Sequence, residues 1–313
     1  MLGLRRIATV FGGSGFLGRH VVQRLTAAGY IVRIAVRHVD GAKFLRPMGD
    51  IGQVVPLYAP VENEADVARA ITGAELVINL TGILAESAKG DFTRVQAEGA
   101  ARIARVSAAA GVYRLIHISA IGADAASPAV YARTKAAGEA AVHYSFPSAT
   151  ILRPSIIFGA EDAFFNRFAA LAVTLPIIPI VHGETKFQPV YVGDVADAVL
   201  AAISPDAAGK IFELGGPEVK SFRALVEQAI FYTGRRRHVL DLPVPLARLL
   251  AILPGKALTS DQISLLATYN VVAMGSEGLE DLGITPTRLD LVLPNYLARF
   301  RAGGKSTNAA FQE

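Results

Sequence analysis

The sequence predicts an α/β fold with a doubly wound parallel sheet, covered by helices on both faces, and a smaller, mostly helical C-terminal cap region. Two observations favour this fold. Apolar runs and helical patterns alternate up to residue 153, and the apolar runs lack the polar alternation of a strand with one solvated face. The first run also leads through a glycine-rich turn directly into a helical pattern, which is typical of sheets that bind a ligand at their carboxyl edge.

The predicted strands are short and rich in β-branched residues, and the predicted helices carry apolar residues at three- and four-residue spacing. The first helix has Leu17, Val21 and Leu25 on one face and ends before Gly29. The predicted strands are residues 7–11, 30–36, 53–57, 75–80, 113–119 and 149–153. The predicted helices between them are residues 16–28, 67–71, 92–110 and 131–144.

Beyond Pro154 the alternation weakens, which indicates a change of organisation. The predicted helices there are residues 163–175, 195–203, 222–232, 245–253, 260–268, 278–282 and 289–301, and the strand-like segments are 186–191 and 211–214. We therefore expect a first domain over residues 1–155 and a C-terminal region over 156–301, in which segments within 186–214 complete the sheet and the rest forms a helical cap. Residues 302–313 are small and polar, which predicts a disordered tail.

Composition excludes several kinds of site. The chain of 313 residues has no cysteine, which rules out disulfides, a catalytic thiolate and cysteine-ligated metals. Its six histidines show no metal-ligand spacing, so we predict no metal site. The net charge of +4 is a mild basic excess without the aromatic and basic interleaving of single-strand nucleic-acid binders, so no nucleic-acid partner is expected.

The glycine-rich turn is the first candidate binding site. Gly12, Gly15 and Gly18 follow one another at three-residue spacing between the first strand and the first helix. Glycine permits a tight turn and close approach of backbone to a pyrophosphate, and a helix N-terminus presents N–H groups to phosphates. This pattern predicts a dinucleotide site of the Rossmann type, with the candidate contacts Gly12, Gly13, Ser14, Gly15, Phe16, Leu17 and Gly18.

The end of the second predicted strand decides which dinucleotide is expected. An acidic residue there binds the ribose 2′-hydroxyl of NAD(H), but no carboxylate occurs in this chain before Asp40. Arg37 stands there instead, and a guanidinium suits a 2′-phosphate. The sequence therefore favours NADP(H) over NAD(H), with a plain solvated cation as the alternative interpretation of Arg37.

A third candidate group combines Tyr131 and Lys135, which lie four residues apart on one helix face, with Ser119 at the end of the fifth strand. An ammonium beside a phenol favours the phenolate, so we expect a lowered pKa and a possible general acid or base. Lysine would also hold the nicotinamide ribose, and Ser119 a substrate oxygen. Ordinary surface residues are the alternative. Other candidate cofactor contacts at strand ends are Leu80, Thr81, Gly82 and Pro154.

Three further features need no catalytic or metal-binding role to explain them. His117 lies inside an apolar strand and is predicted to be a hydrogen-bonded core residue, and Glu161 and Asp162 are predicted to be solvated loop carboxylates. The basic residues 235–238 and the leucine-rich segment 246–253 would face an anionic membrane surface or a partner subunit, or else pack as a plain cap.

Together the glycine turn, Ser119, the Tyr131 and Lys135 pair, and Arg153-Pro154 resemble the short-chain dehydrogenase/reductase superfamily in its extended or atypical branch, over residues 5–215. Six later sequence segments resemble those of one narrower family, the nucleotide-binding accessory subunits of respiratory complex I and their bacterial homologues. These segments are FFNRF at 164–168, FQPVYVGDV at 187–195, LTSDQI at 258–263, YNVV at 269–272, DLGITPT at 281–287 and LPNYL at 293–297.

The resemblance implies a protein that holds NADP(H), for structure rather than turnover, on the peripheral arm of complex I near the membrane. It assigns the dinucleotide loop to residues 12–18, the 2′-phosphate contact to Arg37 and the ribose-side pair to Tyr131 and Lys135. Residues 59–61 depart from the pattern, because Ala-Pro-Val stands where an acidic adenine contact is usual.

Two alternatives stay open at this point: a free-standing reductase or epimerase with Tyr131 as general acid or base, and a nucleotide-sensing regulator. No apolar stretch reaches the roughly 20 residues of a membrane span, and we expect no targeting segment before the first strand. These features predict a peripheral protein on the cytoplasmic face of a bacterial inner membrane, with peripheral-arm subunits and anionic lipid as its expected partners.

Overall fold

The computed structural model describes residues 6–250 and 259–303 and has the predicted α/β fold class, with a doubly wound parallel sheet. The strands, in chain order, are β1 Ile7–Phe11, β2 Ile31–Val36, β3 Val54–Tyr58, β4 Leu76–Asn79, β5 Arg114–Ile118, β6 Thr150–Pro154, β7 Ile157–Phe158, β8 Ile177–Ile180, β9 Lys186–Phe187, β10 Val190–Tyr191, β11 Ile211–Leu214, β12 Lys220–Ser221 and β13 His238–Asp241. Most of the tail expected at 302–313 and the end of the helix predicted at 245–253 lie outside the described residues.

The α-helices alternate with the first six strands as predicted. They are α1 Phe16–Ala27, α2 Glu64–Ile71, α3 Gly99–Ala109, α4 Val130–Ser145, α5 Phe164–Thr174, α6 Val192–Ala201, α7 Phe222–Tyr232, α8 Val244–Leu250, α9 Ser260–Leu266 and α10 Leu289–Leu297. The helix predicted over 92–110 differs at its start, where a π-helical turn, Thr93–Glu98, precedes α3. Shorter 3₁₀ segments are Asp40–Met48, Pro205–Ala207, Glu280–Leu282 and Ala298–Phe300.

The chain forms two compact units, and the first contains the sheet. This unit comprises Met1–Pro154, Val192–Leu214 and Ala273–Thr285. Its seven strands are parallel, in the order β11-β6-β5-β4-β1-β2-β3. The order changes direction between β1 and β4, and such a switch point opens a crevice outside the carboxyl ends of the strands.

Helices cover both faces of this sheet. On one face α2, α3 and α4 bury an apolar cluster that includes Phe11, Val77 and Leu115, all inaccessible or nearly so. On the other face α1 packs against α6, where the Arg24 guanidinium donates to the carbonyl of Gly193 and pairs with the Asp197 carboxylate. The near-continuous apolar character of the strands is thereby explained, because helices cover both faces of the sheet.

The second unit comprises Ser155–Tyr191, Gly215–Val272 and Pro286–Glu313, and its core is aromatic. Phe158, Phe165, Phe187 and Phe222 are buried. Edge-to-face contacts join Phe158 to Phe165 and, through Phe164, Phe165 to Phe222, while the ring of Phe187 is tilted against that of Phe222. Helices α5, α7 and α10 surround this cluster. Two short strands, β8 and β13, form a parallel pair beside it that the sequence did not predict.

The segments expected to complete the sheet within 186–214 do so only in part. Ile211–Leu214 joins the sheet as β11, as predicted. Residues 186–191 instead form two separate two-residue strands, β9 and β10, which pair with β12 and β7 in the second unit. Pro189 separates them, since proline has no N–H to continue a ladder.

A charged triad joins three elements of the first unit. Arg153 on β6 donates to both carboxylate oxygens of Glu139 on α4 (2.9 and 2.6 Å) and, at 3.4 Å, to Glu213 on β11. The other Glu213 oxygen accepts from the backbone N–H of Ala273 at 2.8 Å. Both carboxylates are about nine-tenths buried, so each needs the arginine as its counter-charge.

We predict that Arg153→Ala lowers the free energy of unfolding by about 3–5 kcal/mol, because it leaves two buried carboxylates without a cation. Urea denaturation of the purified protein measures this. The matched control is Arg105→Ala, which removes an exposed pair with Glu64 and should leave the free energy of unfolding nearly unchanged. Equal small losses in both variants would contradict the structural role of the triad.

Candidate functional site

The turn after β1 has no room for side chains at its glycines. Gly12 has φ of +77°, and a Cβ there would lie 3.0 Å from the carbonyl carbon and oxygen of Leu80. A Cβ at Gly18 would lie 2.4 Å from the Gly12 oxygen and 2.5 Å from the Gly13 carbonyl carbon. Glycine is therefore required at positions 12 and 18, as the sequence predicted from spacing alone.

The N-terminus of α1 is suited to an anion. Gly15 is the N-cap residue, no side chain of the described residues caps this helix, and its first turn holds no acidic residue. The first N–H groups of a helix have no partner within the helix, and the dipole favours negative charge there. Ser14 and Phe16 are half-buried, and Gly15 between them is exposed. The Leu17 side chain is buried, so Leu17 offers a ligand only its backbone.

The other predicted contacts lie at the same edge of the sheet. Arg37 follows β2, Leu80 to Gly82 follow β4, Ser119 follows β5, and Pro154 ends β6. Because all these strands are parallel, their carboxyl ends share one edge. At that edge the carbonyl oxygen of Pro154 accepts a hydrogen bond from the N–H of Ile121 at 3.1 Å.

A buried polar relay supports the loop after β4, and its key residue was not a sequence candidate. Asn79, the last residue of β4, accepts at Oδ1 from the N–H (3.0 Å) and hydroxyl (2.5 Å) of Thr81. Its amide nitrogen is then the donor to Nδ1 of His117, 3.1 Å away on β5. The signal available in the sequence was a polar residue at the end of an otherwise apolar strand.

His117 is buried, as predicted, but not fully hydrogen-bonded. Its Nε2 has no hydrogen-bond partner among the described residues. Burial, and then the nearby charge of Lys135, lower the pKa of His117 to about 3, so the ring is neutral at physiological pH. The prediction of a satisfied core histidine is therefore wrong for this atom.

Lys135 and Ser119 form the buried part of the predicted catalytic group. Lys135 Nζ donates to the carbonyl of Ile118 at 3.1 Å and lies 3.4 Å from where a Gly82 Cβ would stand. Ser119 Oγ is buried and has no hydrogen-bond partner among the described residues. A polar ligand at this edge would give Ser119 a partner, so these residues fit a ribose.

Tyr131 does not have the lowered pKa that the sequence predicted. Its ring is half-buried against Phe92, with ring centroids 5.8 Å apart, and burial raises the pKa of Tyr131 to about 12. Burial also lowers the pKa of Lys135 to about 8. The expectation is wrong in this structure because desolvation disfavours both charged forms, while the Lys135 ammonium is directed to a backbone carbonyl.

Arg37 has the environment expected of an anion-binding residue. It is exposed immediately after β2, and it makes no hydrogen bond or ion pair of its own within the described ranges. Asp40, the nearest acidic residue in sequence, pairs with Lys43 at 2.6 Å. In residues 59–61, Ala59 and Val61 are buried and offer no carboxylate to an adenine.

Of the two loop carboxylates predicted to be solvated, Glu161 is exposed, but the prediction is wrong for Asp162. Asp162 is 3% exposed rather than solvated, and it accepts hydrogen bonds from the hydroxyl of Tyr296 and the N–H groups of Gly159 and Asn166. Burial raises its pKa above the ordinary value. Asp162 therefore holds the start of α5 against α10. The sequence did not indicate this packing role, because Asp162 and Tyr296 lie 134 residues apart.

No helix in residues 6–250 or 259–303 is both long and apolar enough to cross a membrane. No group of three or more His, Asp or Glu side chains in those ranges is arranged to hold a metal ion.

Comparison with known proteins places these features in context. Residues 8–215 match the model of the NAD dependent epimerase/dehydratase family. The chain is 35% identical to the protein named NADH dehydrogenase [ubiquinone] 1 alpha subcomplex subunit 9, mitochondrial, of Arabidopsis thaliana, over 98% of this chain and 81% of that protein. It is 37% identical to the protein of the same name from Rattus norvegicus, over 94% and 80%.

Among solved structures, UDP-glucose 4-epimerase of Thermus thermophilus in complex with NAD has a similar fold. The TM-score is 0.70 at 20% identity, and the match covers 94% of this chain and 98% of that one. At this identity the likeness concerns the fold alone.

Burial of His117 predicts an acid-labile fold. Because its pKa is about 3 when folded and about 6.5 in an unfolded chain, the folded protein binds fewer protons between these pH values. The stabilisation is complete above about pH 6.5 and is lost as pH falls towards 3, by up to about 1.4 kcal/mol per pH unit. His117→Gln should have a shallower pH dependence in urea unfolding from pH 7 to 4.

The control for this measurement is His143→Gln, at an exposed position on α4. It should retain the wild-type dependence on pH. If His117→Gln also retained it, a neutral buried His117 could not be the cause of acid lability.

Proposed function

Because the chain belongs to the NAD dependent epimerase/dehydratase family and, within it, to the family of complex I subunits named alpha subcomplex subunit 9, we propose that it is an NADP(H)-binding accessory subunit of a proton-pumping NADH:quinone oxidoreductase. The observation that carries this proposal is the extent of the similarity. It covers 98% of the chain, well beyond residue 215, where the match to the general epimerase model ends.

The first unit supplies the nucleotide-binding residues of this proposal. Residues 12–18 bind the pyrophosphate at the N-terminus of α1, where no side chain of the described residues caps the helix and no acidic side chain in the first turn repels a phosphate. Leu80, Thr81 and Gly82 line the adjacent strand end, held by Asn79. Ser119, Tyr131 and Lys135 bind the nicotinamide ribose, with Pro154 at the end of β6.

NADP(H) rather than NAD(H) is the proposed nucleotide. The support is the exposed guanidinium of Arg37 at the carboxyl end of β2, where an acidic residue would select the free 2′-hydroxyl. A guanidinium binds a phosphate through two parallel hydrogen bonds, and this interaction is absent with NAD(H).

The nucleotide is proposed to be held rather than turned over. A phenol with a pKa of about 12 is a poor proton donor near neutral pH, and its phenolate is hardly populated. This disfavours the alternative of a free-standing reductase or epimerase that uses Tyr131 as its acid or base. A bound ribose beside Lys135 and Ser119 would instead supply partners to buried polar atoms and stabilise the folded protein.

We propose that the second unit provides the surface towards peripheral-arm subunits and an anionic lipid headgroup layer. The support is a small exposed surface at β13: Arg236, two residues before the strand, and His238 are exposed, and Leu240 is 51% exposed. Ile177 of β8, paired with His238, is 49% exposed on the same small sheet. Such a face gains from both apolar burial and attraction to anions.

Co-purification tests the proposed assembly. An affinity-tagged chain extracted from native membranes with a mild detergent should migrate in native gels with NADH:quinone oxidoreductase activity, and gentle denaturation should release NADP(H) detectable by mass spectrometry. A tagged soluble reductase of the same superfamily is the control. If the chain never travels with complex I subunits, the proposed function is refuted.

We predict that Arg37→Ala weakens NADPH binding by about 10- to 100-fold, the worth of charge-assisted hydrogen bonds, and changes NADH binding by less than about threefold. Fluorescence or calorimetric titration measures both dissociation constants. Arg46→Ala, at an exposed arginine of the 3₁₀ segment Asp40–Met48, is the matched control and should change neither. Equal losses for NADPH and NADH in Arg37→Ala would show that Arg37 does not recognise the 2′-phosphate.

A further inference from the structure

The backbone N–H of Thr81 fixes the direction of every hydrogen bond in the relay through Asn79. A backbone N–H group only donates, so the Asn79 atom that lies 3.0 Å from it is the amide oxygen. The Asn79 amide nitrogen is then the atom 3.1 Å from His117 Nδ1, and it donates there. Burial keeps the His117 ring neutral, so His117 accepts at Nδ1 and has its one ring proton on Nε2.

This protonation of His117 serves Asn79 rather than the packing of the core. The Nε2–H group is buried and has no hydrogen-bond partner among the described residues. A buried donor without an acceptor costs free energy, and an apolar side chain at this position would avoid that cost. What histidine contributes here, and leucine would not, is the Nδ1 acceptor for Asn79.

The loop after β4, which the relay holds at Thr81, contacts both parts of the proposed nucleotide site. A Cβ at Gly12 of the glycine turn would lie 3.0 Å from the carbonyl carbon and oxygen of Leu80 and 3.2 Å from the Thr81 nitrogen. At the other end of the loop, a Cβ at Gly82 would lie 3.4 Å from Lys135 Nζ. A shift of this loop would therefore change the backbone beside the pyrophosphate turn and beside the ribose contact Lys135.

A second hydrogen bond connects the surroundings of the same loop to β5. Lys135 Nζ donates to the carbonyl of Ile118 at 3.1 Å, and Ile118 follows His117 on β5. Asn79, His117 and Lys135 are all buried. Thr81, in the loop, is half-buried. The relay is thus internal, and the loop is the part of this arrangement that a ligand can reach.

We propose that His117 is a positioning residue for the nicotinamide half of the bound dinucleotide. It holds the amide of Asn79, which in turn holds Thr81 and so sets the loop after β4 beside Lys135. This inference rests on the proposed nucleotide binding and deepens it, because it makes the affinity depend on a histidine that touches no ligand. The relay acts on the part that NADPH and NADH share, whereas Arg37 acts on the 2′-phosphate.

Calorimetric titration of the full chain with NADPH tests the relay by a double-mutant cycle. His117→Leu and Thr81→Val each remove one hydrogen bond of the relay and should each weaken NADPH binding about 3- to 10-fold. Because the two links act in series, the double variant should bind no more weakly than the weaker single variant. Losses that multiply in the double variant would refute the relay, since the two side chains would then act separately.

A nucleotide fragment and a conservative variant distinguish positioning from general packing. 2′,5′-ADP has the 2′-phosphate but no nicotinamide ribose, so its affinity for His117→Leu should stay within about threefold of the wild-type value. His117→Gln, whose side-chain oxygen can accept from Asn79, should retain the NADPH affinity. His143→Leu, at an exposed position of α4, is the matched control and should change neither affinity. Equal weakening of NADPH and 2′,5′-ADP binding in His117→Leu would contradict the inference, because the histidine would then only support the sheet.

The outcomes separate this inference from the proposed function. If the wild-type chain binds NADPH and the losses multiply, the role of His117 is refuted and nucleotide binding stands. If the chain binds NADH as tightly as NADPH and the losses do not multiply, the preference for NADP(H) is refuted and the relay stands. If the wild-type chain binds neither nucleotide, nucleotide binding and this inference are refuted together.

Discussion

The absence of space between α1 and the turn that precedes it is the constraint on which the site depends. A Cβ at Gly18 would lie 2.4 Å from the Gly12 oxygen, and Gly12 itself abuts the Leu80 backbone at the end of β4. Any side chain at either position would push the helix from the strand or β4 from β1. Backbone contact therefore holds the N-terminus of α1 at the switch point of the sheet, and every other candidate residue is arranged around that point.

The same tight packing gives the site its electrostatic character. Lys135, His117 and Ser119 are buried close to a sheet edge, so Lys135 binds its proton less tightly, His117 stays neutral, and the Ser119 hydroxyl has no partner in the described structure. Buried polar groups of this kind cost stability until a ligand satisfies them. On the proposed function, nucleotide binding stabilises the fold by mass action, which is a physical basis for a nucleotide that serves structure rather than turnover.

The fold was predictable where local patterns and long-range packing agree. Strands β1 and β11 and helix α7 begin and end where the sequence predicted, because apolar runs bounded by glycine or by polar residues leave few alternatives. The predictions failed where partners are distant in the chain. Residues 186–191 became two short strands that pair within the second unit, and Asp162 became a buried partner of Tyr296, 134 residues away.

The sequence by itself determined the parallel sheet, the two positions of the turn that require glycine, Gly12 and Gly18, and the cation at the end of β2, because each follows from neighbouring residues and their spacing. Only the tertiary structure decided the protonation of Tyr131 and the relay from Thr81 through Asn79 to His117. These depend on burial and on contacts between separate strand ends. Desolvation and through-space charge are properties of the packed chain, and no spacing of residues encodes them.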